Sequence, residues 1–307
     1  MQLLDASTRQ RVDLQRAMRL LNASGCLDAL TAPDVARALD AFVTKTVTPL
    51  PREGNAPVRI AETDGCMLNS IGLANPGRSR FIADTLPRLR ELGVPIWVSV
   101  GGFSAHDYAE TCAQLDDVTI ELNLSCPNVE EAADTAAAIV AACRAATPLP
   151  LYAKLSPANW DIPTTAQAVE AAGADGLSLV NTIRGAALDE RTLEPRLGTW
   201  SGGLSGPALK PIALAAVLAC RPVTDLPIVG MGGVMTGRDA LELVAAGAND
   251  VALGTTLFRD PESPSRIRAE LDVEIAALGL RDVDEARDIA HDGRLTQIRL
   301  TPAQVGD

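Results

Sequence analysis

Residues 227–256 read PIVGMGGVMTGRDALELVAAGANDVALGTT. An apolar β-branched run (227–230) is followed by a glycine-rich turn, Gly230-Met231-Gly232-Gly233. Thr236 then opens an alanine- and leucine-rich helical stretch that Gly247 ends, and a second apolar run (251–254) closes on Gly254-Thr255. Thr before a helix and Gly after it are the expected boundary residues. The stretch is therefore one strand–helix–strand unit, and its two strands are parallel.

The same unit recurs along the chain. Expected strands are 20–23, 42–44, 96–100, 118–124, 151–155, 177–181, 227–230 and 251–254. Expected helices are 33–41, 81–92, 105–115, 129–146, 162–172, 207–219, 237–246 and 263–278. Two inter-strand intervals are about twice the usual βα length and hold Gly/Pro/Asn-rich insertions, at 48–79 and 184–206. Eight such units predict a single (β/α)₈ TIM barrel, with insertions after strands 2 and 6. An open doubly wound sheet is the alternative, but it favours a glycine-rich turn after the first strand, and here the late strands carry them. The whole chain, 1–307, reads as one domain with its core at about 20–280. A polar terminal helix and tail are expected after about residue 281.

Composition limits the function. Of 307 residues, 27 are Lys or Arg and 39 are Asp or Glu, a formal net charge of −12. A nucleic-acid partner is not expected, because phosphate backbones need a basic face. Aromatics are only 3 %, so a base-stacking surface is not expected either. The polar start lacks a signal peptide's pattern. No apolar run reaches the ~18 residues of a membrane span. The six cysteines form no C-x-x-C pair. They read as reduced thiols of a cytoplasmic protein, with no metal site expected.

In a barrel, working residues stand where strands end and βα loops begin. Those ends carry Asn22-Ala23-Ser24-Gly25, Thr44-Lys45-Thr46, Asn123-Leu124-Ser125-Cys126-Pro127-Asn128, Lys154, Val180-Asn181-Thr182, Gly230 to Gly233, and Gly254-Thr255. The late glycines bare backbone N–H groups for a phosphate, as does Gly202-Gly203-Leu204-Ser205-Gly206-Pro207, read as opening a helix, and so do the residues Thr236 to Asp239. Sugar-phosphate and flavin mononucleotide barrels share this signal. Lys45 and Lys154 end apolar strands and need an anionic partner. Cys126, near lysines and a helix start, is a candidate nucleophile or base. The amides Asn69, Asn123, Asn128 and Asn181 suit a flat ligand with alternating C=O and N–H groups.

These stretches, with Arg52-Glu53-Gly54-Asn55 and Asn69-Ser70-Ile71-Gly72-Leu73-Ala74-Asn75-Pro76-Gly77, resemble the dihydroorotate dehydrogenase family from about Leu21 to Phe258. The resemblance implies an FMN enzyme that oxidises (S)-dihydroorotate to orotate in pyrimidine biosynthesis. A cysteine at position 126 is similar to the soluble class 1 members. It implies Cys126 as the base, with Lys45 and Lys154 at the reacting centre. Ala23, Ser24, Gly25, Lys45, Thr46, Ser99, Asn123, Lys154, Val180, Gly203, Ser205, Gly206, Gly230, Gly232, Gly233, Gly254 and Thr255 would hold FMN. Lys45, Asn69, Ile71, Gly72, Leu73, Asn123, Asn128, Asn181 and Thr182 would hold the substrate. It further implies a homodimer and, for the NAD-linked type towards which the motifs lean, a separate subunit carrying FAD and a 2Fe–2S cluster. One departure is that residues 129–133 run almost directly into a helix, a shorter cover over Cys126 than the family pattern has, which bears on water exclusion. An FMN oxidoreductase for another cyclic amide or unsaturated acid is the alternative; a non-redox barrel, isomerase or aldolase, is a remoter one.

Overall fold

A computed structural model describes residues 18–124, 133–158 and 161–291. Eight parallel strands form its main sheet: β1 (Leu20–Asn22), β2 (Phe42–Val43), β5 (Ile96–Val100), β6 (Thr119–Asn123), β7 (Leu151–Leu155), β8 (Gly176–Leu179), β11 (Ile228–Met231) and β12 (Asp250–Leu253). Their order is β1-β12-β11-β8-β7-β6-β5-β2, and a parallel bridge from Leu21 to Ala41 joins the two ends. All eight coincide with the expected runs, and the sheet closes into a (β/α)₈ barrel. Both faces of β5 and β7 are buried, which is why these runs are continuously apolar instead of alternating.

Side chains fill the barrel from within. Leu21, Ala41, Val43, Trp97, Tyr152, Val229, Met231 and Ala252 form the inner cluster. The Trp97 and Tyr152 rings lie 4.4 Å apart, and the Arg19 guanidinium, paired with Asp250 at 2.5 Å, sits 5.4 Å over Trp97. Gly176 makes room for the tyrosine, since a Cβ there would fall 2.2 Å from the ring. Burial pushes the Tyr152 phenol up to about 12, against the pull of Arg19.

The outer helices are α1 (Pro33–Arg37), α2 (Arg78–Arg80), α3 (Leu86–Arg90), α4 (Ala105–Cys112), α5 (Ala133–Ala146), α6 (Ile162–Ala171), α7 (Lys210–Cys220), α8 (Gly237–Ala245), α9 (Thr256–Arg259) and α10 (Ser263–Ala277). The helix expected over 81–92 is interrupted: a π-helical turn, Phe81–Thr85, stands between α2 and α3. Pro87 cannot donate a backbone hydrogen bond, so the regular ladder is not available there. The expected terminal helix is, among the described residues, a single 3₁₀ turn, Val283–Ala286. Among the described residues no helix is long and apolar enough to cross a membrane.

The insertions do more than loop. They build a second, antiparallel sheet from β3 (Ile60–Thr63), β4 (Cys66–Asn69), β9 (Ile183–Gly185) and β10 (Gly202–Ser205), in the order β3-β4-β10-β9. Ala61, Leu68 and Leu197 form its own small core. The glycine-rich residues 202–206 are thus mainly a strand, a correction to their reading as a helix start; a 3₁₀ turn at Pro207–Leu209 leads into α7 instead. Pairing with β4 overrides the poor strand propensity of Gly202 and Gly203. Because the insertions follow β2 and β8, this sheet stands over the carboxyl ends of the barrel strands.

Candidate active site

Lys154 reaches the barrel mouth from β7. Its Nζ donates to Ser24 Oγ at 3.1 Å and lies 3.5 Å from Glu121 Oε1. Lys154 is 3 % exposed and Glu121 1 %. Removing two charges from water is costly unless they are paired and hydrogen-bonded, so Ser24 and Glu121 together explain how a lysine sits here. The sequence reading missed Glu121, although it precedes Asn123 by two positions and so shares its inward face.

Lys45 arrives from the end of β2 and is half-buried. A Cβ on Gly25 would stand 3.1 Å from Lys45 Nζ, and Gly25 has φ +79°, so glycine serves this turn twice over. Among the described residues Lys45 makes no hydrogen bond or ion pair. Burial, with the nearby Lys154 charge, holds its ammonium below the usual lysine range, while the Cys26 thiol acts the other way. Burial pushes the Cys26 thiol up, against Lys154 and Lys45. Ser24, Gly25, Lys45 and Lys154 are therefore brought together as expected, with Cys26 among them.

A chain of polar side chains crosses the mouth beside the lysines. Ser99 Oγ lies 3.0 Å from Thr46 Oγ1, Asn123 Nδ2 donates to Thr46 Oγ1 at 3.1 Å, and Asn181 Nδ2 donates to Asn123 Oδ1 at 3.1 Å. Thr182 N closes the chain by donating to Asn181 Oδ1 at 2.8 Å. The buried Tyr108 hydroxyl donates to the Asn123 carbonyl at 2.7 Å, fixing that strand end from the helix side. Such a fully connected network orients its members, which a single amide on a loop would not do. Tyr108 gave no signal in the sequence beyond being one of two tyrosines.

The second sheet brings Asn69 to the same region. Asn69 pairs with Gly203, its Nδ2 donates to Gly203 O at 3.3 Å, and a Cβ on Gly203 would meet Thr182 Oγ1 at 2.3 Å. Gly203 thus sits with Asn69 and Thr182, on the side expected for substrate. Ser205 Oγ donates to Met67 O at 3.3 Å, and Gly206 turns with φ +102°. Gly72 and Leu73 both take left-handed φ, +72° and +57°. For Leu73 that conformation is strained. It is held by Arg52 Nε donating to Gly72 O at 3.2 Å, Asn55 N donating to Ile71 O at 3.1 Å and Asn75 Nδ2 donating to Leu73 O at 2.7 Å.

The glycine-rich loops divide by purpose. Gly230 is a packing residue by its geometry, since a Cβ there would stand 3.0 Å from Ala248 and 3.3 Å from Leu243. Gly232 and Gly233 have positive φ, with α7 residues close behind them. The Val180 N–H donates to Met231 O, and the Ala23 N–H to Leu253 O. The N–H groups of Thr236, Gly237 and Asp239 are not bare, a further correction: Thr236 and Asp239 form a capping box, Asp239 Oδ2 also takes Met235 N, and Gly237 N donates to Glu270 at 2.8 Å. The helix terminus expected to hold an anion is filled by the chain's own carboxylates. Gly254 is the open position: a Cβ there would meet nothing nearer than Ala23 Cβ and Cys26 Sγ, both at 3.9 Å. Thr255 follows and lines, with Cys66, Met67, Arg196, Phe258 and Arg259, a cavity of about 590 Å³ beneath the β3–β4 turn. Cys126 and Asn128 lie outside the described residues.

Fold and mouth define a closed (β/α)₈ barrel whose strand ends carry two lysines and a bonded amide chain under an antiparallel roof. The family model described as dihydroorotate dehydrogenase matches residues 12–275. The dihydroorotate dehydrogenase B (NAD(+)), catalytic subunit, of Desulforudis audaxviator (strain MP104C) is 44 % identical over 265 residues, 82 % of this chain and 86 % of that one. The protein of the same name from Latilactobacillus sakei subsp. sakei (strain 23K) is 45 % identical over 257 residues, 80 % and 84 % of the two chains. That of Listeria welshimeri serovar 6b is 42 % identical over 260 residues, 81 % and 86 %. The chain belongs to the dihydroorotate dehydrogenase family.

Proposed function

We propose that this chain is the FMN-binding catalytic subunit of a class 1, NAD-linked dihydroorotate dehydrogenase. It oxidises (S)-dihydroorotate to orotate and passes the electrons to a separate subunit. The observation that carries the reading is the meeting of Lys154, Lys45 and the Asn123–Asn181 pair at one mouth, in a chain of this family.

The residues fit FMN. Gly254 leaves the mouth open for a flat ring, where a side chain would project into the space before Ala23 and Cys26. Lys154 supplies a buried cation for negative charge growing on reduction. The loops at Gly232-Gly233 and Gly254-Thr255 follow the last two barrel strands, the usual place for a phosphate in such barrels. Ala23, Ser24, Gly25, Thr46, Ser99, Val180, Ser205 and Gly206 complete the proposed cofactor set, with Gly230 included only through its backbone. Held by these residues, FMN would supply the acceptor for the hydride from C6 of the substrate.

The protein residues do the rest. Cys126 takes the proton from C5. Lys45 pairs with the substrate's negative charge, which suits an ammonium that has no other partner among the described residues. Asn123, Asn181 and Thr182 meet the ring's amide edge, and Asn128, which follows β6 in sequence, joins them in this reading. Asn69, Ile71, Gly72 and Leu73 close over it from the roof. The relatives' name, catalytic subunit, speaks for a partner subunit that carries electrons onward. A homodimer, a single domain over 1–307 and a cytoplasmic location belong to the same reading. The test is to purify the chain, release and identify its chromophore, and assay orotate formation with an artificial electron acceptor. FMN and turnover are expected; a chain without flavin, or with flavin and no orotate, would overturn the reading.

A further inference from the structure

Glu121 is the one carboxylate among the described residues that touches the lysine pair, and the proposed reaction gives it nothing to do. It stands on β6 opposite Ser99 of β5 and Tyr152 of β7, two residues before Asn123. It is buried at 1 % exposure, and among the described residues its side chain meets Lys154 Nζ at 3.5 Å. Lys154 in turn is held closer by Ser24, at 3.1 Å. An apolar side chain would fill this position at no electrostatic cost, and an unpaired buried carboxylate is expensive. The carboxylate therefore answers to the lysine.

The two lysines are not treated alike. Lys154 has a buried counter-charge from below, and Lys45 has none among the described residues. With a flavin at the mouth, the Lys154 ammonium would face Glu121 on one side and the developing negative charge on the other. Resting on the FMN reading above, we propose that Glu121 is a positioning residue that anchors the Lys154 ammonium and, by offsetting its charge, lowers the reduction potential of the bound flavin. Without the carboxylate the cation is uncompensated, and the anionic reduced flavin is favoured over the neutral oxidised one.

The test is the two-electron midpoint potential of the FMN-loaded chain, followed by its visible spectrum. Glu121→Gln is expected to raise the reduced-to-oxidised ratio at fixed potential at least tenfold, about 30 mV for a two-electron couple. The neutral double variant, Glu121→Gln with Lys154→Met, is expected near the wild-type potential, because a compensated ion pair and no pair present a similar net charge to the flavin. Should Glu121→Gln fail to hold FMN, the double variant carries the test, since losing both charges leaves neither buried and unpaired. A potential unchanged in Glu121→Gln, or one lowered by about tenfold or more in the reduced-to-oxidised ratio in the double variant when it alone can be measured, overturns the proposal while leaving the FMN reading intact. A wild-type chain that binds no FMN overturns both.

Discussion

Asn181 donates to Asn123 across the barrel mouth, Nδ2 to Oδ1 at 3.1 Å, and so ties the end of β8 to the end of β6. Asn123 spends its own Nδ2 on Thr46, so each amide is held at one end. The bond fixes which polar edges face the ligand. Asn181→Ala removes a link and leaves the Asn123 acceptor short of a donor. Loss of such a bond costs about 1–3 kcal/mol, so kcat/KM for dihydroorotate should fall about 10- to 100-fold. FMN content should stay near wild type. Steady-state kinetics beside flavin absorbance check this, and equal losses of flavin and activity would speak against it.

Two glycines make opposite predictions. Gly254→Val projects into open space before Ala23 and Cys26, so it should leave the thermal midpoint nearly unchanged and yield colourless protein. Gly176→Ala would place a Cβ 2.2 Å from the Tyr152 ring, which Trp97 and Arg19 hold in turn. Overpacking of this kind costs about 1–3 kcal/mol. Denaturant unfolding of the FMN-free variants, with absorbance of the loaded ones, separates the two effects.

Lys45 gives a pH signature. Its folded value lies below the ordinary lysine value, from burial first and then the Lys154 charge. In the window between those values the folded chain binds fewer protons than the unfolded one, so stability rises with pH there. Below the window Lys45 costs stability, and above it the cost is gone. Lys45→Met should therefore be more stable than wild type near neutral pH, with the gap closing towards about pH 10, near the ordinary lysine value. Melting curves of the FMN-free chain across that range check it. A gap that widens with pH would contradict the assignment.

Asp239 predicts the reverse slope. Burial raises its carboxyl, but the Lys210 ammonium, the Met235 N–H and Thr236 outweigh it and hold the group below the usual range. Its contribution is present above the unfolded value and lost as pH falls through the folded one. Asp239→Ala should cost about 1 kcal/mol as a lost helix cap, with the deficit shrinking in acid. FMN affinity should not change, because these N–H groups already have partners within the chain. Weaker FMN binding at full stability would return them to the phosphate site.

The barrel was legible because fully buried parallel strands leave unbroken apolar runs, such as 96–100 and 151–155, separated by alanine-rich helices. The roof was not. Ile60–Thr63 alternates between exposed and buried, and Gly202–Ser205 opens on two glycines, so neither resembles a strand until it pairs. Lys45, Lys154, Asn123 and Asn181 were readable as polar residues at strand ends. Glu121 was not, because a lone acidic residue within a strand reads as facing solvent and only closure of the barrel turns it inward. The α8 terminus was misread for a related reason: Gly237 owes its partner to Glu270, which lies 33 residues away in sequence.

The most direct test of the central claim is anaerobic. Dihydroorotate is added to the purified, FMN-loaded chain with no acceptor present, and the flavin absorbance is followed together with orotate. The account predicts bleaching of the visible band with one orotate formed per flavin reduced. A yellow protein that stays yellow in excess dihydroorotate, and forms no orotate, would contradict it.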